Sequence, residues 1–221
     1  MQTKMTKKIM LVSALSLTIF SASAQDFKVP LKNTWTAFDT TEAMDKKLEQ
    51  CNKMMLISKK WNNEWITHFY ASLCKTIISY GEKDETKHDA LLDDADKEHE
   101  EAVSILGKEN DETYVLAAMI ANSRMMINPM QRWQKYGKLF SDNLENAKSI
   151  NENNPRIYYM KGVTTFHTPK AYGGGKKAAL PYLEKAEGLF AKETDADITK
   201  PYWGKAKNAF FLEQAKQGDK E

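Results

Sequence analysis

The chain has 221 residues, 42% hydrophobic and 28% charged, with 32 basic against 30 acidic side chains. That composition supports a buried core and excludes a disordered tail. The near balance of charge, with no long basic run, excludes a nucleic-acid binder that works by neutralising phosphates. Beyond residue 24 no apolar run approaches the ~18 residues of a membrane span, and the remaining 197 residues suit one large domain or an extended array.

The first residues form three zones. Lys4, Lys7 and Lys8 are basic, Ile9 to Phe20 is an uninterrupted apolar or small stretch, and Ala22 and Ala24 close it with small side chains. This is the charge, apolar core and A-x-A order of a cleavable secretory signal. A membrane anchor is the competing reading, and twelve apolar residues fall well short of it. The expectation is cleavage after Ala24 and a soluble, exported, periplasmic chain beginning at Gln25. No lipid anchor is expected, because no Cys follows the small residues. The three lysines leave with the signal, so residues 25–221 carry 29 basic and 30 acidic side chains. Residues 25–40 read as an N-terminal extension and residues 41–221 as the helical domain.

From there helical periodicity runs almost throughout, with glycine and proline between the segments rather than within them. Met44, Leu48, Cys51 and Met55 recur at spacings of four, three and four, one apolar helix stripe. Later segments run from Trp65 to Gly81, Asp89 to Leu106, Glu112 to Met126, Met130 to Ile150, Pro155 to His167, Lys177 to Lys192 and Trp203 to Gln217. The spacing predicts an all-α chain of eight helices in four hairpins. Pro181 fits if its helix starts near Ala178, where first-turn N–H groups have no intrahelical partner.

Cys51 and Cys74 are the only two cysteines. They fall on consecutive antiparallel helices, and an oxidising compartment permits them to pair. A turn centred near Trp61 leaves an axial mismatch of about 4–5 Å, so a disulfide and two buried free thiols both remain open.

Three helices share a triplet: Ala95, His99 and Ala102; Phe140, Leu144 and Ala147; Ala179, Leu183 and Ala186. In the clearest segment Asn153-Asn154-Pro155 opens a helix, and Tyr158 stands four residues before Gly162. On these residues the chain from about Trp61 to Gln217 resembles a tetratricopeptide repeat, in which small residues sit where helix axes cross. The resemblance implies a right-handed α-solenoid of about four hairpins. The repeats are divergent: 45 residues separate Ala95 from Phe140 and 39 separate Phe140 from Ala179, against about 34 in the family. The extra residues fall in the turns within hairpins. Lys161, Phe140 and His99 also depart from the family pattern. The whole chain is similar to exported tetratricopeptide proteins of unassigned role in Gram-negative bacteria. The shared features are Glu64-Trp65, Tyr136 to Lys138, the Asn-Asn-Pro opening and the Ala171-to-Gly175 loop.

Several segments invite chemistry. Gly173, Gly174, Gly175 and Lys176 precede a helix and offer an anion cradle. A phosphate loop needs a glycine where Lys170 stands and a Lys-Ser/Thr pair near Lys177, so a lengthened turn is the plainer reading. The run Asp89, Asp93, Asp94, Asp96, Glu98, Glu100 and Glu101 lacks calcium-loop spacing and reads as a solvated face. His99 opens only half of a zinc-protease pattern, with Val103 in place of the second His. Along a helix His88 and His99 stand about 16 Å apart, too far to share an ion. Met119, Met125, Met126 and Met130 suit Cu(I), but they lie at core spacings and read as core packing. No nucleophile elbow or Cys–His pair is present. The expectation is a non-catalytic protein without cofactor or metal.

The family resemblance also implies a concave face that holds a peptide or protein partner, lined by the first helix of each hairpin. Carried over, it points Arg156, Tyr159, Val163 and Phe166 inward, with Val115, Met119 and Asn122 from the preceding repeat. Aromatic and Arg side chains are common anchors, although Val163 and Phe166 equally suit packing on a neighbouring helix. The alternative is a periplasmic small-ligand binder, accessory to a transporter, with Met119 and Phe166 lining a closed cavity.

Overall fold

The structure is a computed structural model that describes residues 26–194 and 197–218. The expected secretory signal, residues 1–24, lies outside the described residues. Among the described residues nine α-helices follow one another: α1 (Lys28–Thr40), α2 (Met44–Lys60), α3 (Trp65–Ser79), α4 (Glu85–Leu106), α5 (Asp111–Ile127), α6 (Pro129–Ile150), α7 (Pro155–His167), α8 (Lys176–Phe190) and α9 (Lys205–Lys216). The expected all-α class is observed, and no strand occurs among the described residues. No helix there is long and apolar enough to cross a membrane.

Local chemistry explains the helix starts. Asp84 accepts from the Lys87 amide, Asn110 and Thr113 form a reciprocal capping box, and Asn154 accepts from the Arg156 amide. Pro129 and Pro155 occupy first turns, where a missing N–H costs nothing. Gly107 ends α4 in the left-handed conformation. Pro181 differs from expectation: α8 begins at Lys176, so the ring sits in the second turn. The carbonyl left without that donor belongs to Lys177, an exposed residue that water reaches.

Helices pair as α1/α2, α3/α4, α5/α6 and α7/α8, with α9 against α8. The first helices of successive pairs, α3, α5, α7 and then α9, also touch in order. The expected N-terminal extension is instead a helix of the core, because Leu31, Trp35 and Phe38 of α1 are all buried. Gly162 marks the closest approach of α7 and α8, where an added Cβ would lie 2.6 Å from Leu183 Cδ2.

The connection from α8 to α9 turns back across the first helices. Ile198 and Trp203 are buried in the main core. Trp35 Nε1 of α1 donates to the Tyr202 carbonyl at 3.2 Å, and the Tyr202 amide donates to Tyr70 Oη of α3 at 3.0 Å. Arg156 Nη2 of α7 donates to the Pro201 carbonyl at 3.0 Å. One short segment thus ties together helices from three hairpins.

Glycine is required at position 174, where a Cβ would stand 2.1 Å from the Thr168 carbonyl oxygen. Gly174→Ala therefore lowers the melting temperature, while Gly188→Ala, with nothing near its Cβ position in α8, raises stability by about 0.5–1 kcal/mol. Thermal melts of the two variants against the parent check both signs.

Candidate functional site

The predicted partner face does not reach solvent as an open groove. Val115, Met119, Asn122, Arg156 and Tyr159 are buried, and only Val163 and Phe166 keep partial exposure. Trp203 covers Arg156 and Tyr159, and Tyr80 covers Met119 and Asn122. Tyr159 meets the Trp203 and Phe190 rings edge-on, with centroids 6.2 and 6.5 Å away. Asn122 accepts from Tyr80 Oη at 2.9 Å and donates to Thr164 Oγ1 at 3.1 Å, linking three helices. Phe166 packs against Phe211. The small-ligand alternative puts Met119 and Phe166 in one cavity, but Met119 is buried in the main core while Phe166 packs on a separate cluster with Leu183 and Leu212.

Arg156 is the extreme case, at 1% exposure. Its guanidinium binds Glu112 at 3.0 Å and both oxygens of Glu193 at 2.9 and 3.0 Å. It also lies 5.6 Å from the Phe190 ring centroid and 5.5 Å from that of Trp203. It is a structural cation, not a partner anchor. Burial pushes the Glu112 carboxyl up to about 7, against the pull of Arg156. A carboxyl raised on folding contributes stability below its ordinary value of 4.5 and loses it as pH climbs through about 7. Glu112→Gln removes that loss, so its unfolding free energy changes less than the parent's between about pH 5 and pH 8. Denaturant titrations at several pH values measure the difference.

The glycine loop holds no anion cradle. Gly173 N donates to the Lys170 carbonyl, Gly174 N to Pro169 and Gly175 N to Thr165; Lys176 begins α8 beyond them. The three glycine amides are thus engaged in a lengthened turn.

The acidic face of α4 is more than solvated surface. Arg124 clasps Asp93 and Asp96, each at 2.7 Å. Arg132 clasps Glu85 and Asp89, and Glu98 holds His68 at 2.7 Å. His99 and His88 are buried, bonded at 3.0 Å to the Thr113 carbonyl and to Ser123 Oγ respectively. Among the described residues no His, Cys, Asp and Glu cluster is placed to hold a metal. Of the four methionines, Met119 is core, whereas Met130 is 88% exposed.

One apolar depression has no counterpart among the residues singled out from the sequence. It lies between α2 and α4 across the end of α3 and measures about 430 Å³. Met44 and Leu48 of α2 form one wall, Ala90 and Leu91 of α4 the other, and Ile78 and Gly81 the floor. Glu82, Lys87 and Asp94 stand at the rim. Met44 and Leu48 remain 49% and 44% exposed, although they continue the stripe that buries Cys51. Gly81 is what admits Met44, whose Cε is 2.8 Å from the position of a Cβ there. Asp94 is neutralised by Lys75 at 2.9 Å, while Lys87 extends exposed beside the cleft. With Glu82 also at the rim, the edge carries charge of both signs, and an apolar cleft of this kind suits an apolar ligand with a polar edge that Lys87 can meet. A smaller, more polar hollow of about 220 Å³ lies between α6, α7 and α8, lined by Phe140, Leu144, Thr164, Thr165, Thr168 and Tyr182.

No protein-family model matches the sequence, and comparison with curated proteins finds no relative. Among solved structures the chain is similar to the HusA haemophore from Porphyromonas gingivalis, at 27% sequence identity and a TM-score of 0.75. That similarity covers 90% of this chain and 97% of the haemophore.

Proposed function

We propose that the protein is an exported, non-catalytic carrier that binds haem or a closely related porphyrin in the cleft between α2 and α4. The observation that carries this reading is the likeness to a haemophore along nearly that protein's whole length. The cleft supplies a fitting place. Met44, Leu48, Ile78 and Leu91 offer apolar surface to a macrocycle, and Lys87 offers a cation to a propionate. The groove falls within the ~300–1,000 Å³ range of small-molecule sites. Its one soft donor toward iron is the Met44 thioether, a known type of haem ligand. His68, His88 and His99 are buried and bonded elsewhere. A small-ligand carrier thus replaces a peptide partner as the leading role, because the face proposed for a peptide is covered by the chain itself. The order of helix contacts and the close approach at Gly162 support the further reading of the fold as a divergent tetratricopeptide-type solenoid.

The test is an absorbance titration of the purified protein with haemin. The parent saturates with a shifted Soret band, and a Leu48→Asp, Leu91→Asp variant with an unchanged circular-dichroism spectrum binds at least about tenfold more weakly. No saturable shift in the parent overturns the carrier reading. Undiminished binding by the variant removes the ligand from this cleft.

A further inference from the structure

We infer that Cys51 and Cys74 close a disulfide that pins α2 to α3 directly beneath the cleft. The sequence places the turn near Trp61 and leaves the cysteines at different heights. In the structure α2 ends at Lys60 and α3 begins at Trp65, so each cysteine stands nine residues inside its helix from the connection. In an antiparallel pair that symmetry removes the axial offset. The two helices pack directly on each other, and both cysteines are fully buried as free thiols. Cys74 Sγ lies 4.0 Å from the Cys51 carbonyl oxygen and 3.2 Å from that of Ala71. Only weak thiol hydrogen bonds are lost when the sulfurs join.

Burial, with Cys51 alongside, pushes the Cys74 thiol well above its ordinary range, and both sulfurs are closed off from any external oxidant in the folded chain. The bond therefore forms while the chain folds, before the core closes over it. One cysteine thiolate attacks the disulfide of an external thiol–disulfide oxidant, giving a mixed disulfide and releasing one thiol. The second thiolate then attacks the protein sulfur of that mixed disulfide and expels the oxidant's other thiol. Two electrons and two protons pass from the chain to the oxidant, whose disulfide becomes two thiols. Leu48 lies one turn before Cys51 and Ile78 one turn after Cys74, and both line the cleft. The bridge thus fixes the spacing between a wall and the floor of the site, whatever ligand the site takes.

The experiment unfolds and reduces the full chain, then refolds it in a buffer of reduced and oxidised glutathione. After an acid quench the protein is denatured, alkylated and weighed intact. The expected product is two hydrogens lighter than the dithiol, takes up no alkyl group, and melts about 5–10 °C above the reduced protein. A Cys51→Ala variant retains one alkylated thiol and shows no redox-dependent melting. Two alkyl groups on the refolded parent, or one alkyl group with one bound glutathione, overturn the inference. That mass is decisive even if the variant does not fold.

Discussion

Replacing Arg156 with alanine lowers the unfolding free energy by about 3–5 kcal/mol, the range for breaking a buried ion pair from one side. The guanidinium joins Glu112 of α5, Glu193 after α8 and the Pro201 carbonyl of the covering segment. Its removal strands Glu112, which also binds Asn154 at 2.8 Å, in a place water does not reach. Arg156→Lys recovers little, since a single ammonium does not reproduce the planar fork that serves two carboxylates and a carbonyl. Urea unfolding followed by circular dichroism measures both variants, and a loss below about 1 kcal/mol, typical of an exposed pair, contradicts the assignment.

The second large effect belongs to Trp203. Its ring is buried between Tyr159 and the Arg156 guanidinium, and its Nε1 faces Glu112 Oε2 at 3.4 Å. Trp203→Ala costs about 3–5 kcal/mol through lost burial and the cavity left behind. Because Trp203 and Arg156 share Glu112 and lie against each other, the double variant loses less than the two single losses combined. Strict additivity in that cycle contradicts the picture of a single covering unit.

The parts of this architecture that local chemistry controls are legible in the sequence. The boundaries of α2 to α9 follow from apolar spacing and from Asn, Asp, Pro and Gly at helix ends, and most fall within a few residues of expectation. The first helix is the exception. Leu31, Trp35 and Phe38 are spaced four and three apart, but the stripe is short and follows directly on the expected signal, so it reads as an extension.

Tertiary relations are where local signals stop. The inward turn of Tyr159 follows from its helix position, whereas its covering by Trp203 depends on a residue more than forty positions away. The acidic residues of α4 look solvated alone, and their partners Arg124 and Arg132 arrive from the next hairpin. The cleft is hidden for a similar reason. Met44 and Leu48 lie on the same stripe as Cys51, and spacing does not separate an apolar residue that closes a core from one that lines a groove. The glycine at position 81, which admits Met44, resembles an ordinary helix terminator in the sequence.

The most direct test of the central proposal maps the ligand onto the protein by methyl-labelled nuclear magnetic resonance, with haemin added stepwise. Binding in the cleft between α2 and α4 broadens the methyl signals of Met44, Leu48, Ile78 and Leu91 and leaves those of Val115, Met119 and Leu212 sharp. Broadening centred on Val163 and Leu212 instead, or none at saturating haemin, contradicts it.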